Sequence, residues 1–227
     1  MRYVMVLAVT VVGAGSLKAS IITYVTPDNS TAGGQPVSAE AKFTTGADSI
    51  TVVLTNLQAN PTSVVQNLSD LIFTVSTGQK SGSISSSSAL ERSVAKNNTY
   101  SDGAVVDTGW SLTTQGSSLY LNVLGTKIGP AHLIIGPPGG ATYAKANGSI
   151  AGNGPHNPFL AESATFVLNV PGVTAASTIT AATFSFGTTE GANEVPGEVV
   201  PEPATLALAA SGLAAVIGAV VTRRRRR

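Results

Sequence analysis

Every second side chain is apolar in several separate stretches of this chain. In Thr165-Phe166-Val167-Leu168-Asn169-Val170, the residues Phe166, Leu168 and Val170 fall on one side. In Leu119-Tyr120-Leu121-Asn122-Val123-Leu124, Leu119, Leu121 and Val123 do the same. A period of two is the geometry of a pleated strand with one buried face; a helix would scatter these residues around its axis. Further runs rich in Val, Ile, Thr and Phe occupy 50–57, 71–77, 105–112, 132–135 and 178–186, parted by Gly, Pro, Asn and Ser. Short strands punctuated by turn residues predict an all-β domain, an antiparallel β-sandwich or jelly roll. No long amphipathic helix is evident. Asn60-Pro61-Thr62-Ser63 opens either a short helix, with Val64, Val65 and Leu68 facing inward, or a loop. The Ser/Gly-rich stretch 78–88 reads as an exposed turn or flexible loop, and 190–200, with Pro196 and Gly197, reads as a linker.

The two ends follow a different pattern. Arg2 precedes an apolar stretch from Val4 to Ala14, with small residues at Ala14, Gly15, Ser16 and Ala19. That order of basic, apolar and small residues is the layout of a signal peptide, cleaved after Ser16 or Ala19. At the other end, Pro201-Glu202-Pro203 is followed by Ala204 to Val221, 18 residues without a charge, and then by Thr222 and Arg223, Arg224, Arg225, Arg226 and Arg227. As a helix the apolar run measures about 27 Å, just enough to cross a hydrocarbon core. Pro201 and Pro203 resist incorporation into that helix. The arginine cluster stays on the cytoplasmic side, which puts the preceding domain outside. Ala210, Ala214 and Gly218 give the span a smooth face, suited to helix contact but also common in membrane helices generally. The chain thus divides into signal peptide 1–19, passenger 20–189, linker 190–200 and tail 201–227, with a transmembrane helix at 204–221.

Charge excludes one class of partner. Five of the thirteen basic residues are the terminal arginines; between Ile21 and Val200 six basic residues face eleven acidic ones, a net of −5. Nucleic-acid binding requires clustered positive charge, which the passenger lacks. With no cysteine, disulfides, thiolate zinc sites and cysteine nucleophiles are excluded.

The tail, with its Pro-Glu-Pro motif, single apolar span and terminal arginines in that order, resembles the PEP-CTERM sorting signal of bacterial exosortase substrates. The resemblance implies recognition by an integral-membrane exosortase and cleavage near Pro201-Glu202-Pro203. It implies export, anchoring in the bilayer through 204–221, and arrival at the cell surface or in the extracellular matrix. A simple retained anchor is the plainer alternative. Within the passenger, residues 22–27, 132–138 and 153–159 resemble stretches of an XDD4-like family of exosortase-dependent surface proteins, a likeness that implies location rather than a reaction.

Catalytic chemistry has few candidates. His132 opens an apolar strand and His156 lies in a Gly/Asn/Pro loop. No Gly-x-Ser-x-Gly elbow, His-Glu-x-x-His or phosphate-binding loop accompanies them, so structural roles are expected and a secreted hydrolase is the minor alternative. Asp102 and Asp107 flank a turn before Trp110, but calcium needs more oxygen ligands than this spacing supplies, and a solvated turn is the better reading. No metal or other cofactor is expected. Trp110 is either a sandwich-core residue or, with tyrosines, a sugar-stacking platform. Trp110, His132 and His156 are the candidate ligand contacts. The expected function is a non-enzymatic structural or adhesive surface protein, with exopolysaccharide as a matrix partner; a carbohydrate-binding module is the alternative. Four Asn-x-Ser/Thr sequons, at Asn29, Asn67, Asn97 and Asn147, match a glycosylation pattern that a Ser/Thr-rich chain also produces by chance.

Overall fold

A computed structural model describes residues 21–201. Its strands are β1 (Ile21–Val25), β2 (Thr31–Ala32), β3 (Gln35–Pro36), β4 (Ala39–Gly46), β5 (Ser49–Asn56), β6 (Leu68–Val75), β7 (Ser83–Val94), β8 (Tyr100–Val106), β9 (Ser111–Gln115), β10 (Ser118–Asn122), β11 (Ile134–Ile135), β12 (Phe159–Asn169), β13 (Ile179–Phe186), β14 (Glu194–Pro196) and β15 (Glu198–Val200). Thirteen of them form one continuous hydrogen-bonded sheet, and β2–β3 make a separate hairpin. The fold is all-β, as the alternating pattern predicted.

The continuous sheet folds into two facing layers. The first runs β8–β7–β12–β5–β4–β1–β15. The second runs β9–β10–β6–β13–β14. Two links join them. The short β11 lies parallel to β12 and antiparallel to β6. At the other side, β14 and β15 are one segment that passes from the second layer to the first through Gly197.

Between the layers sits the core predicted by the period of two. Phe166, Leu168, Leu121 and Val123 are fully buried. Phe43 of β4 meets Phe73 of β6 with ring centroids 5.1 Å apart, and Trp110 meets Phe166 at 5.3 Å. Each such buried side chain contributes about 1.5–3 kcal/mol of transfer free energy. Polar bonds also cross the core: the Tyr24 hydroxyl of β1 donates to the carbonyl of Ile179 in β13 at 3.0 Å.

Three sequence expectations differ from the structure. The Ser-rich stretch 78–88, expected as a loop, contributes the first half of β7, the longest strand. Serine is a weak strand former, but here pairing to β12 along 83–88, with β8 joining from Ala89 on, overrides propensity. The run 105–112 is two strands, not one. Gly109 adopts φ +68° and the Asp107 carboxylate accepts its N–H at 2.8 Å, so the chain turns between β8 and β9. The segment 190–200, expected as a linker, holds β14 and β15, with Val195 buried. Its Pro and Glu residues suit the outer strands of a ladder, where a missing N–H is tolerated. Of the stretch at 60–68, a single 3-10 turn forms at Val64–Gln66, capped by Ser63, and Leu68 already belongs to β6.

Candidate functional site

The closure at Gly197 places the end of the folded domain. Val200 lies opposite Thr23, Val199 opposite Tyr24 and Glu198 opposite Val25 in an antiparallel ladder. The backbone N–H of Gly197 donates to Ala182 O at 2.8 Å, tying the same segment to β13. A Cβ at position 197 would stand 2.8 Å from a ring carbon of Phe184, so glycine alone lets the strand cross between layers here. Because β1 and β15 are antiparallel, Ile21 and Val200 emerge at the same end of the sandwich. Pro201 follows immediately and is exposed. Glu202, Pro203, the apolar run 204–221 and Arg223 to Arg227 lie outside the described residues, as does the stretch 1–19 expected as a signal peptide. Among the described residues no helix is long and apolar enough to cross a membrane.

The structure brings two of the three candidate ligand contacts together, inside the protein. Trp110 is buried, and its indole N–H donates to the carbonyl of His132 at 3.0 Å. That corrects the sugar-platform reading: the ring packs on Phe166 and presents no face to solvent. His132 is buried too, with φ +59°, and its ring is held at both nitrogens, Nδ1 2.9 Å from Thr108 O and Nε2 3.1 Å from Glu91 Oε1. Both neighbours are oxygen atoms that accept hydrogen bonds. His156 sits apart, with Nδ1 2.6 Å from the carbonyl of Ser149. Among the described residues no serine or threonine hydroxyl is hydrogen-bonded to either imidazole, so the geometry of a Ser–His–Asp relay is not assembled there.

Sequence reasoning missed two polar clusters. Arg92 of β7 is buried and donates to both carboxylate oxygens of Asp102 at 2.6 and 2.9 Å, to Glu162 at 3.1 Å and to the Tyr143 hydroxyl at 3.2 Å. Its guanidinium also stacks 4.5 Å from the centroid of Tyr100. The guanidinium holds Asp102 below the usual carboxylate range, and Asp102 pushes Arg92 further up. Burial pushes the Tyr143 hydroxyl up to about 12. Asp102, expected in a solvated turn or a calcium site, is thus an ion-pair partner. Asp107 instead caps the turn at Gly109 and accepts from the Ser87 hydroxyl at 3.1 Å. A lone basic residue inside an apolar-to-serine strand was the only available signal for this cluster.

The second cluster lies on the outer face of β6, β10 and β13. Asp70, Asn122 and Ser185 are directly opposite one another across the three strands. Asp70 is fully buried; its Oδ2 accepts from the Tyr120 hydroxyl at 3.3 Å, while its Oδ1 and the Ser185 hydroxyl have no hydrogen-bond partner. Burial pushes the Asp70 carboxyl up to about 6. Beside it a polar cleft of about 430 Å³, bordered by Tyr120, Asn122 and Glu190, opens to solvent.

An all-β domain whose last strand is separated by only three residues from an apolar, arginine-ended stretch of sequence defines a class: a folded passenger joined to a membrane-directed segment. Residues 199–227 match the PEP-CTERM protein-sorting motif. The chain therefore carries a C-terminal sorting segment, and that motif indicates a surface protein exported, anchored in the membrane and processed by an exosortase. The match takes in Val199 and Val200, so the sorting segment begins inside β15. Neither the curated proteins nor the solved structures yield a match to the chain. The XDD4-like resemblance of the passenger falls outside the matched range and gains no support from it.

Proposed function

We propose that this chain is a structural or adhesive component of the cell surface or surrounding matrix, delivered by its sorting tail. The carrying observation is the sorting motif at 199–227 joined directly to a folded all-β domain. The passenger's buried Trp110, His132 and Arg92 are engaged in holding strands and loops together, which suits a load-bearing body better than a reaction centre. Exosortase acts on the tail, and the freed domain then joins the extracellular material, where exopolysaccharide is the proposed partner.

The test is a producing host with and without its exosortase. With the enzyme, the mature protein is smaller by the tail and cofractionates with exopolysaccharide. Without it, the full-length chain stays in the membrane fraction. Processing that persists without the enzyme overturns the sorting assignment. Mature protein recovered only as free, matrix-independent material in the medium overturns the structural role.

A further inference from the structure

Very little chain separates the folded domain from the apolar tail. β15 ends at Val200 and the uncharged run begins at Ala204, leaving Pro201, Glu202 and Pro203 between them. Covalent geometry limits the step from Val200 to Ala204, four residues, to at most about 14 Å. The headgroup layer on each side of a hydrocarbon core is about 5–8 Å thick. With Ala204 at the hydrocarbon boundary, Val200 stands at most about 6–9 Å above the headgroups even when the tether runs along the bilayer normal. Any tilt brings it lower.

Large apolar side chains are exposed at this end, beside Lys42, which lies opposite Thr23, and Asp48 of the β4–β5 turn. Ile21, Val199 and Val200 are 53%, 52% and 43% exposed, three of the five exposed large hydrophobic residues among those described. Ile21 and Val200 share one face of the β1/β15 ladder, since Val200 lies opposite Thr23. The charged residue of the strand, Glu198, sits at its far end from the tail. The other two exposed hydrophobic residues lie elsewhere. Leu57 follows Asn56, which pairs with Ala39 at the opposite end of the first layer, and Val105 is on β8 at that layer's outer edge.

We infer that the Ile21/Val200 end of the sandwich rests on the lipid interface while the tail is in place, so that the domain stands directly on the bilayer. This rests on reading 204–221 as a membrane span. The occupant of the apolar patch is the headgroup and upper acyl region, which three side chains reach without unfolding anything. The sorting enzyme then meets Pro201-Glu202-Pro203 in the layer between a folded domain and the bilayer, within about 14 Å of the hydrocarbon. The N-terminal apolar stretch, whose chain enters β1 at Ile21, leads to the same end.

Because the chain has no cysteine, single cysteines carry one spin label each without background. The full chain is labelled at residue 21, 47, 57 or 105 and placed in phosphatidylcholine/phosphatidylglycerol nanodiscs. Accessibility to a water-soluble nickel chelate is compared with accessibility to oxygen. Ala47 is the deciding position, because it is exposed in the β4–β5 turn at the Ile21 end but is not next to the tether. The expected result is several-fold lower chelate accessibility at 21 and 47 than at 57 and 105. Equal accessibility at 47 and 57 in a chain that copurifies with the discs means the domain tumbles on its tether, which overturns the inference and leaves the span reading intact. A chain that does not enter the discs overturns the span reading and the inference with it.

Discussion

Trp110 donates its indole N–H to the backbone carbonyl of His132 at 3.0 Å, across the turn that carries the chain from one layer to the other. Two residues that sequence marked as separate ligand contacts are instead partners in the core. The Trp110→Ala variant is expected to lose about 3–5 kcal/mol, from a large cavity beside Phe166. Trp110→Phe keeps most of the packing but orphans the carbonyl, at a cost of about 1–3 kcal/mol. Urea unfolding of both variants in detergent checks the order. Equal and small losses would show that the indole is not a core anchor.

Arg92 is the single cation among Asp102, Glu162 and Tyr143. Removing it by Arg92→Met leaves two partly exposed carboxylates without their cation, while the Tyr143 hydroxyl keeps its bond to Gly136 O, and is expected to cost about 1–3 kcal/mol. Arg92→Lys also destabilises, because an ammonium cannot make the two-pronged bond to Asp102. The pH dependence has a definite sign. Asp102 is held below its ordinary value, so its contribution is present above the unfolded carboxylate pKa and disappears as pH falls through the lower folded value. Wild type should lose stability on acidification below about pH 4, and Arg92→Met should lose less there.

Asp70 carries the opposite sign. Its carboxyl titrates at about 6 in the fold because burial disfavours the anion. A raised folded value favours the protonated native state, so stability from this group is greatest below about pH 4 and declines as pH rises through 6. Asp70→Asn keeps the shape without the charge. It is expected to stabilise the protein at pH 7 by about 1–3 kcal/mol and to remove the slope between pH 4 and 6. Unfolding midpoints at pH 4.5 and 7.5 decide it; an Asn variant no more stable than wild type at pH 7.5 refutes the argument.

Gly197 is where β14 ends and β15 begins. Any side chain there meets Phe184 and the Ala182 carbonyl, at 2.8 and 3.1 Å for the first carbon alone. Gly197→Val is expected to cost about 1–3 kcal/mol and to detach β15 from β1. Hydrogen exchange at Thr23 and Val25, whose N–H groups face β15, reports the detachment. Unchanged protection at these amides would mean that the closure tolerates a side chain.

The tail variants test sorting alone. Glu202→Ala or Pro203→Ala should block removal of the tail and leave the chain in the membrane, whereas neutralising Arg223 to Arg227 should impair retention or orientation before any processing. Mass and membrane fractionation in the exosortase-containing host separate the two. Normal maturation of the Pro-Glu-Pro variants would make the tail an ordinary anchor.

Legibility followed the physics of each element. Strands β5 and β12 were visible because one face of each is buried along most of its length, and burial imprints the period of two; β10 and β13 were visible through their apolar residues. β7 was hidden because its first half is serine with both faces partly wet; only its neighbours reveal it as a strand. β14 and β15 were hidden because three-residue edge strands are too short for a pattern and contain the Pro and Gly that signal loops. The sorting tail was legible because its parts act through their order along the chain. The closure of Val200 on Thr23 was not, since nothing local in either segment names its partner.

The three-residue β15 is also the first part of the body that any pull on the tail must pass through. It is bonded to β1 along one edge, and beyond it Gly197 hands the load to β14 and the buried β13. Tension entering at Pro201 is therefore borne first by this short ladder, and only afterwards by the long strands of the second layer. With the bilayer beyond the Val200 end, drag on a tethered molecule pulls along β15 and loads its three pairings with β1 together, so the clasp resists as a unit before the load reaches β14.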